Sequence, residues 1–94
     1  MTVSTATAVL RQGIIDWRDS FMGVTERQKA GDVKSSLLDI CIDAGAGPEA
    51  LPTSLQSMIT DADDRIRRQA RGGYPQPFDP AVLIRTANEA LREL

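Results

Sequence analysis

Apolar residues recur at steps of three and four in four separate stretches of this chain, with glycine or proline between them. That spacing gathers each apolar set on one side of a helix. The first stretch runs from about Ser4 to Met22, and Val3, Ala6, Leu10, Ile14, Trp17 and Phe21 share one stripe. Ser4 or Thr5 can cap its start and Gly23 can stop it. Gly13, inside the pattern, costs about 1 kcal/mol of helix propensity relative to alanine. Ile15 and Met22 lie over about 100° round the helix from the stripe, so they need a second neighbour.

Thr25 and Gln28 have the spacing of a capping box, which predicts a short helical turn ending at Gly31. Asp32 then caps a helix from Val33 to Ala44, with Val33, Leu37, Ile40 and Ala44 on one face. Leu38 and Ile42 point the other way, which predicts burial on two sides and a central position. Leu38 to Asp43 also alternates partly as a strand would. The capping signal, and the lack of a second strand to pair with, favour helix.

Gly45, Gly47, Pro48 and Pro52 mark a loop, in which Pro48 to Leu51 can form one helical turn. Thr53 or Ser54 caps a third helix reaching Arg71. Its narrow stripe is Leu55, Met58, Ile59, Ala62, Ile66 and Ala70. Asp61–Arg65, Asp63–Arg67 and Asp64–Arg68 are acid-before-base pairs at i,i+4 on its polar side. Gly72 and Gly73 end it, and Tyr74 to Phe78 is a stiff extended connector. Asp79 caps the last helix, Pro80 fills its first turn, and Phe78 with Leu83 has the spacing of a hydrophobic staple. Leu83, Ala87, Ala90, Leu91 and Leu94 form its buried face, with Ile84 beside Leu91. The fold expected is all-α: one domain over residues 1–94, a small bundle or orthogonal array of about four helices.

Ninety-four residues suit one domain. Thirteen acids against eleven bases, a net charge of −2, do not predict a polyanion partner from bulk charge. Histidine is absent, which removes the commonest general base and metal ligand. The single cysteine, Cys41, lies in an apolar run and reads as a buried, inert thiol; an unpaired cysteine points to a reducing compartment. The first residues lack the basic and apolar regions of a signal peptide, and no window approaches the roughly 20 apolar residues of a membrane span. The expectation is a cytoplasmic protein with no membrane contact.

Asp61, Asp63 and Asp64 lack the central glycine and terminal acid of a calcium loop, and on a helix they diverge. Asp39 and Asp43 form a polar wedge without a complementary acid or base. Ser35, Ser36, Ser54 and Ser57 have no histidine to activate them. Gly45 and Gly47 complete no phosphate loop. No catalytic, cofactor-binding or metal-binding residue is therefore expected, and no enzymatic activity.

Two surfaces remain. Arg67, Arg68 and Arg71, followed by Tyr74, could hold phosphates or stack a base, although Asp61, Asp63 and Asp64 neutralise their neighbourhood. Ile15, Met22, Leu38 and Ile42 exceed what one bundle face requires and could pack within the fold or form a dimer seam or partner groove.

Residues 61–94 are similar in part to a known family. Asp61-Ala-Asp-Asp-Arg-Ile-Arg67, Gly72-Gly-Tyr74 and Gln76-Pro-Phe-Asp-Pro80 with Leu83 resemble the C-terminal third of response-regulator receiver domains. That resemblance implies a helix, a short strand and a final helix. The family's lysine before Pro77 is Gln76 here, its acidic pair on a first strand is missing, and residues 1–60 do not alternate strand with helix. Asp39 lacks the pocket of a phosphoacceptor, and no active-site residue is carried over.

The function expected is a non-enzymatic protein–protein interaction module of a bacterial or phage-like cytoplasm: an adaptor, assembly factor or inhibitor docking through a helical face. Its partner is another protein or a second copy of itself. Ile15, Met22, Arg67, Arg68, Arg71 and Tyr74 are the expected contacts, and no cofactor is needed. The alternative is a small nucleic-acid-binding regulator using the arginine-rich end of the third helix.

Overall fold

The computed structural model describes residues 5–94. Val3 and Ser4, assigned to the first helix and its cap, lie outside the described residues. Four helices are present among the described residues: α1 (Thr5–Asp19), α2 (Ala30–Asp43), α3 (Thr53–Ala70) and α4 (Pro80–Glu93), with a 3-10 turn at Pro48–Ala50. Each helix packs against its sequence neighbours, and α4 closes the ring against α1. The alternative of a strand at Leu38 to Asp43 is settled as helix. The result is a small four-helix bundle.

Most of the core follows the helical periodicity, and Cys41 and Leu51 join it from outside the expected stripes. Leu10, Ile14 and Trp17 come from α1, with Phe21 just beyond it; Val33, Leu37, Ile40 and Cys41 come from α2. Leu55, Met58 and Ala62 of α3 and Leu83, Ala87 and Ala90 of α4 complete it, with Leu51 and Phe78 from the connections. Ile14, Leu37, Leu55 and Leu83 are fully buried, so truncating any of them to alanine costs about 2–5 kcal/mol. Trp17 and Phe21 meet edge to face with centroids 5.1 Å apart. Among the described residues, no helix is long and apolar enough to cross a membrane.

Several local expectations are corrected by tertiary contacts. α1 ends at Asp19, and Phe21 and Met22 follow in successive tight turns: Phe21 N–H donates to Arg18 O, Met22 N–H to Asp19 O and Val24 N–H to Phe21 O. The helical turn expected from Thr25 to Gly31 is absent. Gln28 sits instead in an isolated antiparallel bridge with Phe78. Gln28 N–H donates to Phe78 O at 2.8 Å and Phe78 N–H to Gln28 O at 2.7 Å. Two backbone pairs satisfied across the bundle outweigh a local box whose net contribution is about 1 kcal/mol.

α2 consequently starts earlier than expected, with extended Lys29 at the cap position and Asp32 inside the first turn. Thr53 and Ser54 likewise do not cap α3; Pro52 occupies that position. The cap expected at Asp79 does form, its carboxylate accepting from Ala81 N–H at 2.9 Å. Phe78 and Leu83, the staple pair, are both buried.

α2 is not buried on two sides, because Ile42 is 70% exposed. Asp63 pairs with Lys34 of α2 rather than with Arg67, tying two helices together. The other two intrahelical pairs, Asp61–Arg65 and Asp64–Arg68, are made. Ile66 and Ala70 extend the α3 stripe in sequence but not in burial, since the last turns of α3 are exposed. Residues 61–94 form a helix, an extended connector and a helix, with one isolated bridge where the receiver resemblance implies a strand.

Candidate functional site

The bridge between Gln28 and Phe78 brings two loops, residues 20–29 and 71–79, to the same end of the bundle. Extended backbone sends neighbouring side chains to opposite sides. Gln28 therefore turns one way while Arg27 and Lys29 turn the other. Across from them runs the connector Pro75 to Pro77. Its path is set by Arg65, whose guanidinium donates to Gln76 O at 3.0 Å and Pro77 O at 3.3 Å. The same group lies 3.9 Å from the Phe78 ring centroid and pairs with Asp61 at 3.1 Å. Gly72 makes the connector's departure possible. It takes φ +93°, and Gly73 N–H closes onto Arg68 O at 2.9 Å, which ends α3 in a left-handed cap.

Between these walls lies a groove of about 580 Å³. Arg27, Lys29 and the first turn of α2 form one side, and Pro75, Gln76 and Pro77 form the other. Ile66 and Gln69 of α3 complete the lining. Asp32 is the carboxylate among the lining residues. Ala30, Ile66, Pro75 and Pro77 make much of the lining apolar.

The surroundings are basic. Segments 26–32 and 64–76 carry six cationic and three carboxylate side chains, a local balance of +3 in a chain of net −2. Among the described residues Arg27, Lys29, Arg67 and Arg71 have no ion-pair partner, whereas Arg68 holds Asp64 at 2.7 Å. Exposed apolar side chains cluster in the same loops and at the end of α3: Met22 at 55%, Val24 and Ile66 at 36%, and Tyr74 at 91%.

The residues expected as contacts separate into two groups. Met22, Arg67, Arg71 and Tyr74 lie exposed at this end. Arg68 is also there, but it is engaged by Asp64. Ile15 is half-buried on α1, one turn before the helix ends at Asp19. The groove's own cations, Arg27 and Lys29, escape sequence reasoning. In the helical turn expected there they would sit roughly 200° apart. The only sequence signal for them is the pair of prolines opposite, which forbids helix in the segment that Phe78 anchors.

Two other clefts are smaller than this groove. One between α1 and α2, of about 260 Å³, is lined by Val9, Gln12, Gly13, Asp16, Ile40 and Asp43. One between α3 and α4, of about 410 Å³, includes Ser54, Asp61, Arg65 and Glu89. Cys41 is buried, and its thiol is pushed above the ordinary value of 9.0 by burial and then by the charge of Glu49. Among the described residues no group of three or more histidine, cysteine or acidic side chains could hold a metal ion. Comparison with protein-family models, curated proteins and solved structures finds no match.

Proposed function

We propose that this chain is a non-enzymatic protein-interaction module that docks its partner through the basic end of the bundle. The observation that carries this reading is one of position. Exposed Met22, Val24 and Tyr74, Arg67 and Arg71 without an ion-pair partner among the described residues, and a groove lined in part by Ile66 and two prolines all meet at one end. Apolar anchors beside unpaired cations are the composition of a protein contact surface, where tyrosine and arginine carry much of the binding energy. A buried, inert thiol suits a cytoplasmic setting. Nucleic-acid binding by the α3 arginines is the weaker reading. Arg68 is neutralised by Asp64, and unpaired Arg67 and Arg71 are few for a phosphate-tracking surface.

The test is a photo-crosslinking amino acid placed at Tyr74, with a control at Ala46 on the opposite loop, in the cells that make the protein. The expected result is one discrete protein adduct at position 74, resistant to nuclease and absent at position 46. An adduct destroyed by nuclease, or no adduct at position 74, overturns the reading.

A further inference from the structure

We infer that the groove between Arg27–Lys29 and Pro75–Pro77 receives an extended, acidic peptide segment of a partner protein, with an apolar side chain seated against Ile66. This rests on the docking reading above and names the chemistry of what docks.

Three observations lead to it. Arg27 and Lys29 project from the same side of one extended segment and line the groove without an ion-pair partner among the described residues. Side chains two apart on an extended strand are spaced by roughly 6.5–7 Å, which matches carboxylates at alternate positions of an extended ligand. The opposite wall is a proline-bounded connector already held by Arg65 and by the bridge to Gln28, so the groove is formed before anything enters it. A preformed site spares the ligand the ordering of its receptor. Ile66 lines the groove and is partly exposed, and an apolar ligand side chain covers it. Asp32 on the rim repels a uniformly anionic polymer. An acidic segment interrupted by apolar residues avoids that contact, which favours peptide over nucleic acid.

The experiment is a two-dimensional NMR titration of the full chain with three probes: a ten-residue peptide alternating glutamate with leucine, its lysine counterpart, and an oligothymidylate of twelve nucleotides. The acidic peptide should move the amide signals of Lys29, Gly31, Ile66 and Gln69 saturably and leave those of Ala46 and Gly47 in place. Affinity should fall at least about tenfold when salt is raised from 50 to 500 mM and in the double variant Arg27→Glu/Lys29→Glu. Both side chains are exposed, so the variant's spectrum should keep its dispersion. A second variant, Ile66→Asp, should weaken the peptide alone.

Shifts outside the groove, or equal binding of the lysine peptide, overturn the inference. Tighter binding of the oligothymidylate on the same amides overturns it in favour of nucleic acid. No shift with the acidic peptide, while the Tyr74 adduct still forms, overturns the acidic-segment inference and leaves the docking reading intact. Absence of both overturns the two together.

Discussion

The central guanidinium carbon of Arg65 lies over the ring of Phe78, 3.9 Å from its centroid. One side chain thereby joins three parts of the molecule. It pairs with Asp61 one turn back on α3, caps two carbonyls of the connector and covers the buried ring that anchors α4. The contact also holds one wall of the groove in place.

Replacing Arg65 with alanine should cost about 2–3 kcal/mol, since charged donors to carbonyls and a partly desolvated cation–π contact are lost together. For a chain of this size the melting temperature should fall by about 10 °C or more. Arg65→Lys should recover less than half, because an ammonium cannot serve two carbonyls and an aromatic face at once. Arg68→Ala, which breaks an exposed pair, should change stability by less than about 0.5 kcal/mol. Urea unfolding of the three variants checks the ranking.

Gly13 separates two opposing effects. Alanine should gain about 1 kcal/mol of helix propensity in α1. Yet a Cβ at this position would stand 2.8 Å from Ile40 Cγ2 across the α1–α2 contact. Overpacking of a branched side chain costs about 1–3 kcal/mol, so Gly13→Ala should be neutral to destabilising. In an Ile40→Ala background the same change should become stabilising. A double-mutant cycle measured by denaturant unfolding reads the reversal directly.

Asp79 and Thr25 both look like helix caps in sequence, and they should behave differently. Asp79→Ala removes the acceptor of Ala81 N–H and should cost about 0.5–2 kcal/mol. Thr25 precedes an extended segment, and its replacement by alanine should stay within about 0.5 kcal/mol. Thermal unfolding of the two variants is sufficient to tell them apart.

Cys41 should be silent towards thiol reagents in the native state at neutral pH and react at the rate of global unfolding. Its raised pKa also gives stability a sign at high pH. The folded state holds the thiol proton more tightly than the unfolded state. That contribution is complete below the unfolded thiol's pKa and is lost as pH rises through the folded one. Unfolding free energy should therefore decline as pH rises above the ordinary thiol value of 9.0. The decline should be shallower in Cys41→Ala, measured from pH 7.5 to 10.5.

Most of the fold is legible in the chain because helix positions follow from local repeats. Leu55, Met58 and Ala62 are selected by spacing alone, as are Leu83, Ala87 and Ala90, and burial follows. The Pro80 entry and the Gly72 exit are also local, since each depends on the backbone freedom of one residue. The candidate site was legible only in part. Exposed Met22 stands out as a surplus apolar residue, and the arginines of α3 with Tyr74 as a charged, stacking cluster. Ile15 stands out equally and is half-buried, because angular position on a helix does not say which neighbour covers it.

The sequence by itself determined four amphipathic helices and their caps at Asp79 and Gly72, because those depend on interactions within a few residues. Tertiary structure decided the pairing of Asp63 with Lys34, the exposure of Ile42 and Ile66, and the extended course of Arg27 to Lys29. Each of these depends on a partner about 30 or more residues away or on where a neighbouring helix stops. At Gln28 a local capping signal competes with two backbone hydrogen bonds to Phe78, fifty residues distant in the chain. Only the folded bundle supplies the second partner, and with it the groove.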